Sequence, residues 1–312
     1  MGQPAMIAAI DLGSNSFRLE IGHFQPQGFM RAHYLKRTLR QGACLQGGAL
    51  STAALEAGWA CLAEFGQLLR RYQVTRARAV ATQTLREASN SALFVHEGSR
   101  LLGVPIDIIS GEQEAALIYR GVASQLPVSD DRRLIMDLGG RSTELALGQG
   151  VQARQLVSYP LGSVLWTGRF FADGALTAPA FAQAEAAACA ELADAPSRFA
   201  PGSWDCAYAS AGTATAVSDV LAAHGKGASP ITHEDLLWLR EQLLRCGHIQ
   251  RLALPGLRAD KAPVVAGGLS VLLATFHTLQ LQTMVPAQGA LRIGVLHSLL
   301  DGGLDAAAVG DR

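Results

Sequence analysis

Charge is scarce in this 312-residue chain: only 17% of its residues are charged, and 26 basic residues cancel 26 acidic ones. No global field therefore draws it to nucleic acid or to an anionic membrane, and any polyanion must be held by local groups. Cysteine is sparse as well. Cys44, Cys61, Cys189, Cys206 and Cys246 are odd in number, scattered and never spaced as CxxC. That argues against a disulfide framework or a zinc site and fits a reducing cytoplasm. Long apolar runs are missing. The longest, Ala262 to Phe276, is too short to span a bilayer and contains Gly267-Gly268. The first ten residues lack the charged start of a signal peptide. Met1-Gly2 does not signal myristoylation, because Met6 stands where Ser or Thr is needed. The eight histidines form no HxxxH or HD pair, so histidine-based metal catalysis has no support. What abounds is apolar residues, 49%, and glycine, 33 copies. That is the profile of a compact α/β protein with many tight turns, long enough for about two domains.

Against this background one phrase recurs. Ala9-Ile10-Asp11-Leu12-Gly13-Ser14-Asn15-Ser16 returns in altered form as Ile135-Met136-Asp137-Leu138-Gly139-Gly140-Arg141-Ser142-Thr143-Glu144. In each copy an apolar strand ends at an Asp, and a glycine then lets the backbone turn so that small hydroxyl or amide groups close around an anion. The Asp can hold a hydrated cation, and a divalent metal with two such loops neutralises and orients phosphate oxygens. Phosphate chemistry is the leading reading. Taken singly, an Asp before a glycine is more often a plain turn; the pairing, with Ser14 and Ser142 at matching offsets, favours function.

The periodicity places these loops. Residues 6–24 read as two strands joined by the Asp11 loop, and Ser51 to Tyr72 as an amphipathic helix with Leu55, Trp59, Leu62, Phe65, Leu68 and Leu69 on one face. Ala77 to Ala81 is a short strand, Ser89 to Leu102 a helix, and Ile106 to Ile109 another strand. Ser110 to Gln113 has capping-box spacing, so a helix begins there with Glu112 and Glu114 in its first turn. Pro127 to Asp131 reads as a linker, and Leu134 to Leu147 restarts the N-terminal pattern. This predicts two lobes on one plan, residues 1–126 and 127–312, with the C-terminal helix free to pack back on the first. Ala180–Leu192, Thr232–Cys246 and Val264–Leu281 read as later helices, and Pro-Gly pairs at 201–202 and 255–256 mark turns.

Glu114, on the first turn of its helix, can take a proton from an attacking water; the plain alternative is that Glu112 and Glu114 only complement the helix dipole. Arg86 follows a strand and precedes a helix, where its guanidinium can reach a phosphate bidentately. Arg31, Lys36, Arg37 and Arg40, with Arg70, Arg71, Arg76 and Arg78, can line a path for a polyanion, although such runs are usually solvated faces.

In order and spacing, these segments resemble the exopolyphosphatase and guanosine pentaphosphate phosphohydrolase (Ppx/GppA) family, in a short two-domain form. The match takes in Ala9 to Phe17, Ala81 to Asn90, Ile108 to Ala115, Met136 to Glu144, Leu161-Gly162-Ser163, Ala211-Gly212-Thr213 and Gly289 to Leu296. The resemblance implies a two-lobed α/β fold of the actin and sugar-kinase group with an interdomain cleft. It also implies a cytoplasmic, dimeric hydrolase, linked to the stringent response, that removes a terminal phosphate from inorganic polyphosphate or guanosine pentaphosphate with Mg²⁺ or Mn²⁺. On the same basis Glu114 matches the catalytic base. Asp11, Asp137 and Glu144 match metal-site carboxylates, and Arg86, Gly139, Gly140, Ser142 and Thr213 match phosphate-contacting positions, beside Ser14 and Asn15 of the first loop.

The chain departs from that pattern in places. Arg141 stands where the family has a third glycine, and its side chain either clamps the anion or blocks it. Gln113, Ala116 and Ile293 replace two acidic residues and an arginine. The family's larger members add a C-terminal helical region, so poor processivity on long polymers is expected. Two other classes stay open: a phosphotransferase on the same fold, and a weakly active or non-catalytic sensor of phosphorylated nucleotide or polyphosphate.

Overall fold

The computed structural model describes residues 5–227, 229–300 and 307–308; Met1-Gly2 lies outside them. Contacts divide the chain into two units, Met1–Gly121 with Leu291–Arg312, and Val122–Ala290. The division falls at 121/122, near the expected 126/127, and the segment from Leu291 groups with the first unit, as the expectation for the C-terminal helix allowed.

The first unit begins with β1 (Ile7–Leu12), β2 (Ser16–Gln25) and β3 (Gly28–Thr38), successive antiparallel neighbours. A two-residue hairpin, β4 (Leu45–Gln46) and β5 (Ala49–Leu50), leads into helix α1 (Thr52–Arg71). Ser51 caps that helix by accepting from the Ala54 N–H, and Leu55, Leu62, Phe65 and Leu69 are buried on the face predicted from their spacing. Strand β6 (Arg76–Ala81) then pairs parallel with β1, α2 (Gln83–Glu87) and α3 (Ser91–Leu102) follow, and β7 (Ile106–Ile108) pairs parallel with β6. Every residue of β1 is buried, because a central strand is covered on both faces and must read as a continuous apolar run. Edge strand β3 is largely exposed and studded with Arg31, Lys36 and Arg37, charges that discourage pairing with another chain. That polarity hid it from the sequence reading.

Helix α4 (Gly111–Ala123) opens with the expected capping box: the Gln113 N–H donates to Ser110 Oγ at 3.1 Å and the Ser110 N–H to Gln113 Oε1 at 2.8 Å. The residues before β8 (Arg132–Leu138) form no regular element, as a linker should not.

The second unit repeats the plan. β8, β9 (Thr143–Gln149) and β10 (Gln152–Tyr159) are successive antiparallel neighbours. Helices α5 (Ser163–Phe170), α6 (Ala178–Glu191) and α7 (Ala195–Arg198) intervene before β11 (Cys206–Ser210) pairs parallel with β8. Then come α8 (Ala211–Ala223), β12 (Ile231–Thr232), α9 (His233–Cys246) and α10 (Val265–Thr278). Strand β13 (Thr283–Pro286) pairs parallel with β11 and antiparallel with β12. Helix α11 (Leu291–Leu300) returns to the first unit, where β14 (Ala307–Ala308) adds to β6. The two sheets correspond: β3-β2-β1-β6 in the first unit and β10-β9-β8-β11 in the second, each with three antiparallel strands and then a strand parallel to the first of them. Each unit is thus an α/β unit built on the same sheet plan, as the repeated strand-loop-strand phrase predicts.

Each unit has its own apolar core. Ile10, Phe17, Leu62, Phe65 and Phe94 are central in the first; Leu134, Trp166, Phe181, Leu239 and Phe276 are central in the second. The Gly267-Gly268 pair has a packing role in the latter. A Cβ at Gly267 would lie 2.5 Å from the Thr167 backbone nitrogen and 2.7 Å from the Ser163 oxygen, and one at Gly268 2.7 Å from Thr213. Bare backbone therefore lets α10 press against the starts of α5 and α8.

Candidate functional site

In the first unit the turn after β1 is held through its carbonyls. Ser14 O accepts from the Gly42 N–H at 2.8 Å, and Asn15 O from Leu39 and Arg40 at 3.2 and 3.0 Å. Asp11, 4% exposed, stands directly across the antiparallel pair from Arg18. Directly opposed residues share a face of the sheet, and Arg18 Nη1 donates to Asp11 Oδ2 at 3.0 Å. Arg292 Nη1 comes to 3.7 Å of the same oxygen from α11, while its Nε donates to Glu20 Oε2 at 3.0 Å. Arg31 donates to the other Glu20 oxygen at 2.8 Å, so this buried acid is shared by two guanidinium groups. Gly294 brings α11 into place, since a Cβ there would collide with the Leu117 carbonyl.

Arg86 and Glu114 meet in this unit. Arg86 sits on α2, which follows β6, and Glu114 on α4, which follows β7, so two adjacent parallel strands deliver both side chains to one end of the sheet. Arg86 Nη1 donates to Glu114 Oε2 at 2.9 Å and to the Ile109 carbonyl at 2.8 Å. The carboxylate is 9% exposed and the guanidinium 18%. The pair is therefore a charge-assisted hydrogen bond, largely shielded from solvent.

In the second unit the loop after β8 is braced the same way. Gly139 O accepts from the Ser163 N–H at 3.0 Å, and Gly140 O from Val164 and Leu165 at 2.9 and 3.0 Å. Ser163 Oγ adds a bond to Gly139 O at 3.2 Å. Gly162 must be glycine here, because a Cβ would run into the Gly140–Arg141 backbone. Asp137 faces Glu144 across the strand pair. Asp137 Oδ2 accepts from Ser210 Oγ at 2.7 Å, and Glu144 Oε1 accepts from Ser158 Oγ at 2.8 Å. Asp137, Ser142, Glu144 and Thr213 are all buried, and Arg141 is half-buried. At the start of α8, Ala211 adopts the left-handed region at φ 70°, a strained conformation for a side chain with Cβ. Gly212 next to it admits the Lys261 ammonium, which a Cβ would displace.

Within the first unit Asp11, Ser14 and Asn15 gather at one turn and Arg86 with Glu114 at another; Asp137, Gly139, Gly140, Arg141, Ser142, Glu144 and Thr213 are the second unit's set. Arg31, Arg37 and Arg78, read as part of a polyanion path, each have an acidic partner, Glu20, Glu64 and Asp107. Sequence reasoning missed Arg18, Glu20, Ser158, Ser210, Lys261 and Arg292 as neighbours of the matched residues. One signal was available: Arg18 follows Asp11 by the same interval that Glu144 follows Asp137.

A model of the Ppx/GppA phosphatase family matches residues 27–302. Among solved structures, the chain is similar to the Ppx/GppA family member of Aquifex aeolicus, at 24% identity and a TM-score of 0.78, with 96% of this chain and 98% of that one covered. It is also similar to an exopolyphosphatase from Cytophaga hutchinsonii, at 22% identity and a TM-score of 0.85, covering 98% and 100%. An exopolyphosphatase-like protein matches at 24% identity and a TM-score of 0.82, covering 95% and 98%. At these identities the solved structures establish the fold, and the family match across most of the length makes the assignment: the chain belongs to the Ppx/GppA phosphatase family.

Proposed function

We propose that this phosphatase-family chain is a metal-dependent phosphohydrolase that removes the terminal phosphate from inorganic polyphosphate or guanosine pentaphosphate, with Glu114 as the base that activates water. The observation that carries the reading is the Arg86–Glu114 pair, 2.9 Å apart and largely shielded from solvent. It couples a proton acceptor to a group suited to phosphate. In this scheme Glu114 takes the proton of the attacking water as its oxygen bonds to phosphorus, and the bond to the departing phosphate oxygen breaks. Arg86 receives charge on the phosphate oxygens.

The donor set of the second unit suits magnesium. Asp137 and Glu144 are hard oxygen ligands placed opposite each other, with Ser210 and Ser158 orienting them. Magnesium needs only one or two carboxylates, since water and substrate phosphate complete its shell. No group of three or more potential ligands occurs among the described residues. When bound, the ion would supply charge neutralisation at phosphate oxygens. We assign it to Asp137 and Glu144. Asp11 would have to exchange a guanidinium contact for the cation.

The test is phosphate release with magnesium from short polyphosphate, long polyphosphate, guanosine pentaphosphate and ATP, in native protein and Glu114→Gln. Release from one of the first three with ATP spared, and a fall of about 10² to 10⁴ in the variant, is the expected result. Native turnover in Glu114→Gln would remove that residue from the reaction. Binding without release would mark a sensor instead, and transfer from ATP to an acceptor a kinase.

A further inference from the structure

One polar residue beside Glu114 has no part in the reaction as written. Gln83 opens α2, with Arg86 and Glu87 three and four positions on and hence on the same helical face. Its amide oxygen accepts from Arg86 Nε at 3.1 Å and Nη2 at 2.6 Å, while its amide nitrogen donates to Glu87 Oε1 at 2.6 Å. Turning the amide over would set its NH₂ against the guanidinium and its oxygen against the carboxylate, so both neighbours enforce the orientation seen. On the other side of the guanidinium, Nη1 serves Glu114 and the Ile109 carbonyl. The arginine plane is thereby fixed from two directions.

We propose that Gln83 is a positioning residue for phosphate release: it holds the Arg86 guanidinium in the plane that serves Glu114 and phosphate, and Glu87 in turn holds Gln83. The inference rests on the reading of Glu114 as the base. Arg86 also bonds the Ile109 carbonyl and Glu114 through Nη1, so Gln83 is not its only anchor. What is lost is the constraint on rotation of the guanidinium about its Nε bond, and small misplacements of a catalytic group are expensive in rate.

The experiment measures kcat and KM for magnesium-dependent phosphate release, on the polyphosphate or nucleotide that the native chain turns over, in Gln83→Ala, Gln83→Glu with Glu87→Gln, and Glu114→Gln. Melting temperatures are recorded for each variant. Gln83→Ala should lower kcat about tenfold, within the range that misplacement of a reacting group produces, with KM and melting temperature little changed. The paired substitution keeps an acceptor for both guanidinium N–H groups and restores a donor to it from position 87. It should recover most of the lost kcat. In the Glu114→Gln background, Gln83→Ala should add no further loss, because the two act through one interaction. Native kcat in Gln83→Ala while Glu114→Gln is inactive would overturn the positioning role alone. A loss that the paired substitution does not recover, or one matched by a fall in melting temperature, would also overturn it. Full activity in Glu114→Gln would remove the base reading, and this inference with it.

Discussion

The two sheets share one strand order, yet their first turns are charged differently. Across from Asp11 stands Arg18; across from Asp137, at the same interval along the chain, stands Glu144. One strand pair thus sets a carboxylate against a guanidinium, and the other sets two carboxylates together. A paired Asp–Arg is compensated within the protein, whereas two opposed acids are the usual protein share of a hard-cation site. The parallel continues after β6 and β11, where the first unit presents Arg86 on α2 and the second presents Thr213 on α8. A repeated scaffold therefore carries two different charge arrangements at corresponding positions.

The largest expected effect tests that division. Asp137→Asn and Glu144→Gln should each cut magnesium-dependent phosphate release by roughly 10² or more, the scale set by loss of transition-state charge stabilisation, and should raise the magnesium needed for half-maximal rate. Arg18→Gln should leave that magnesium requirement near native. If Arg18→Gln shifted it as far as Glu144→Gln does, the assignment of the cation to the second unit would be wrong.

A second difference is steric. Both turns have their carbonyls capped by residues that follow the third strand, and at the second a glycine, Gly162, is pressed against the loop backbone. Gly162→Ala should cost about 1–3 kcal/mol, the range for overpacking a tight interior. At Gly13 a Cβ would meet Asp11 Oδ1 and Ser16 O at 3.3 Å, a contact small shifts can absorb, so Gly13→Ala should cost less. Denaturant unfolding measures both, and equal costs would erase the distinction.

A smaller contrast lies in the turns into α2 and α8. The caps are alike, Thr82 at φ −114° and Ser210 at φ −107°, but Ala211, the first residue of α8, is left-handed at φ 70°. Ala211→Gly should raise stability by some tenths up to about 1 kcal/mol as the Cβ strain is relieved; a loss would mean that the alanine methyl is needed where it is.

The smallest effect is on pH dependence. The hydrogen bond from Arg132 holds the exposed Asp205 down to about 2. Its folded value lies below that of the unfolded chain, so its contribution is present above about pH 4 and fades as pH falls toward 2. Asp205→Asn should flatten that part of the acid-unfolding curve slightly, and an unchanged curve would show the pair contributes nothing.

Much of this was legible beforehand. Helix α1, the capping box of α4 and both strand-loop-strand units followed from local periodicity and turn chemistry, which a window of neighbours determines. Edge strand β3 was not, because its solvent-facing charges obscure the alternation. Nor was the role of Gly267-Gly268, read only as an interruption in an apolar run until α10 was seen against α5 and α8.

What the sequence alone determined is the family-like order of motifs, the repeated Asp loops and the identity of the residues that end each strand, since these depend on composition and spacing along the chain. Which groups face each acid was decided by the sheets. Arg292 reaches Asp11 and Glu20 from a helix far downstream, Ser210 reaches Asp137 from a parallel neighbour, and Arg86 reaches Glu114 between adjacent strand ends. Those contacts join residues distant in the chain, and only packing brings such groups within a few ångströms, where electrostatic and hydrogen-bond energies become large.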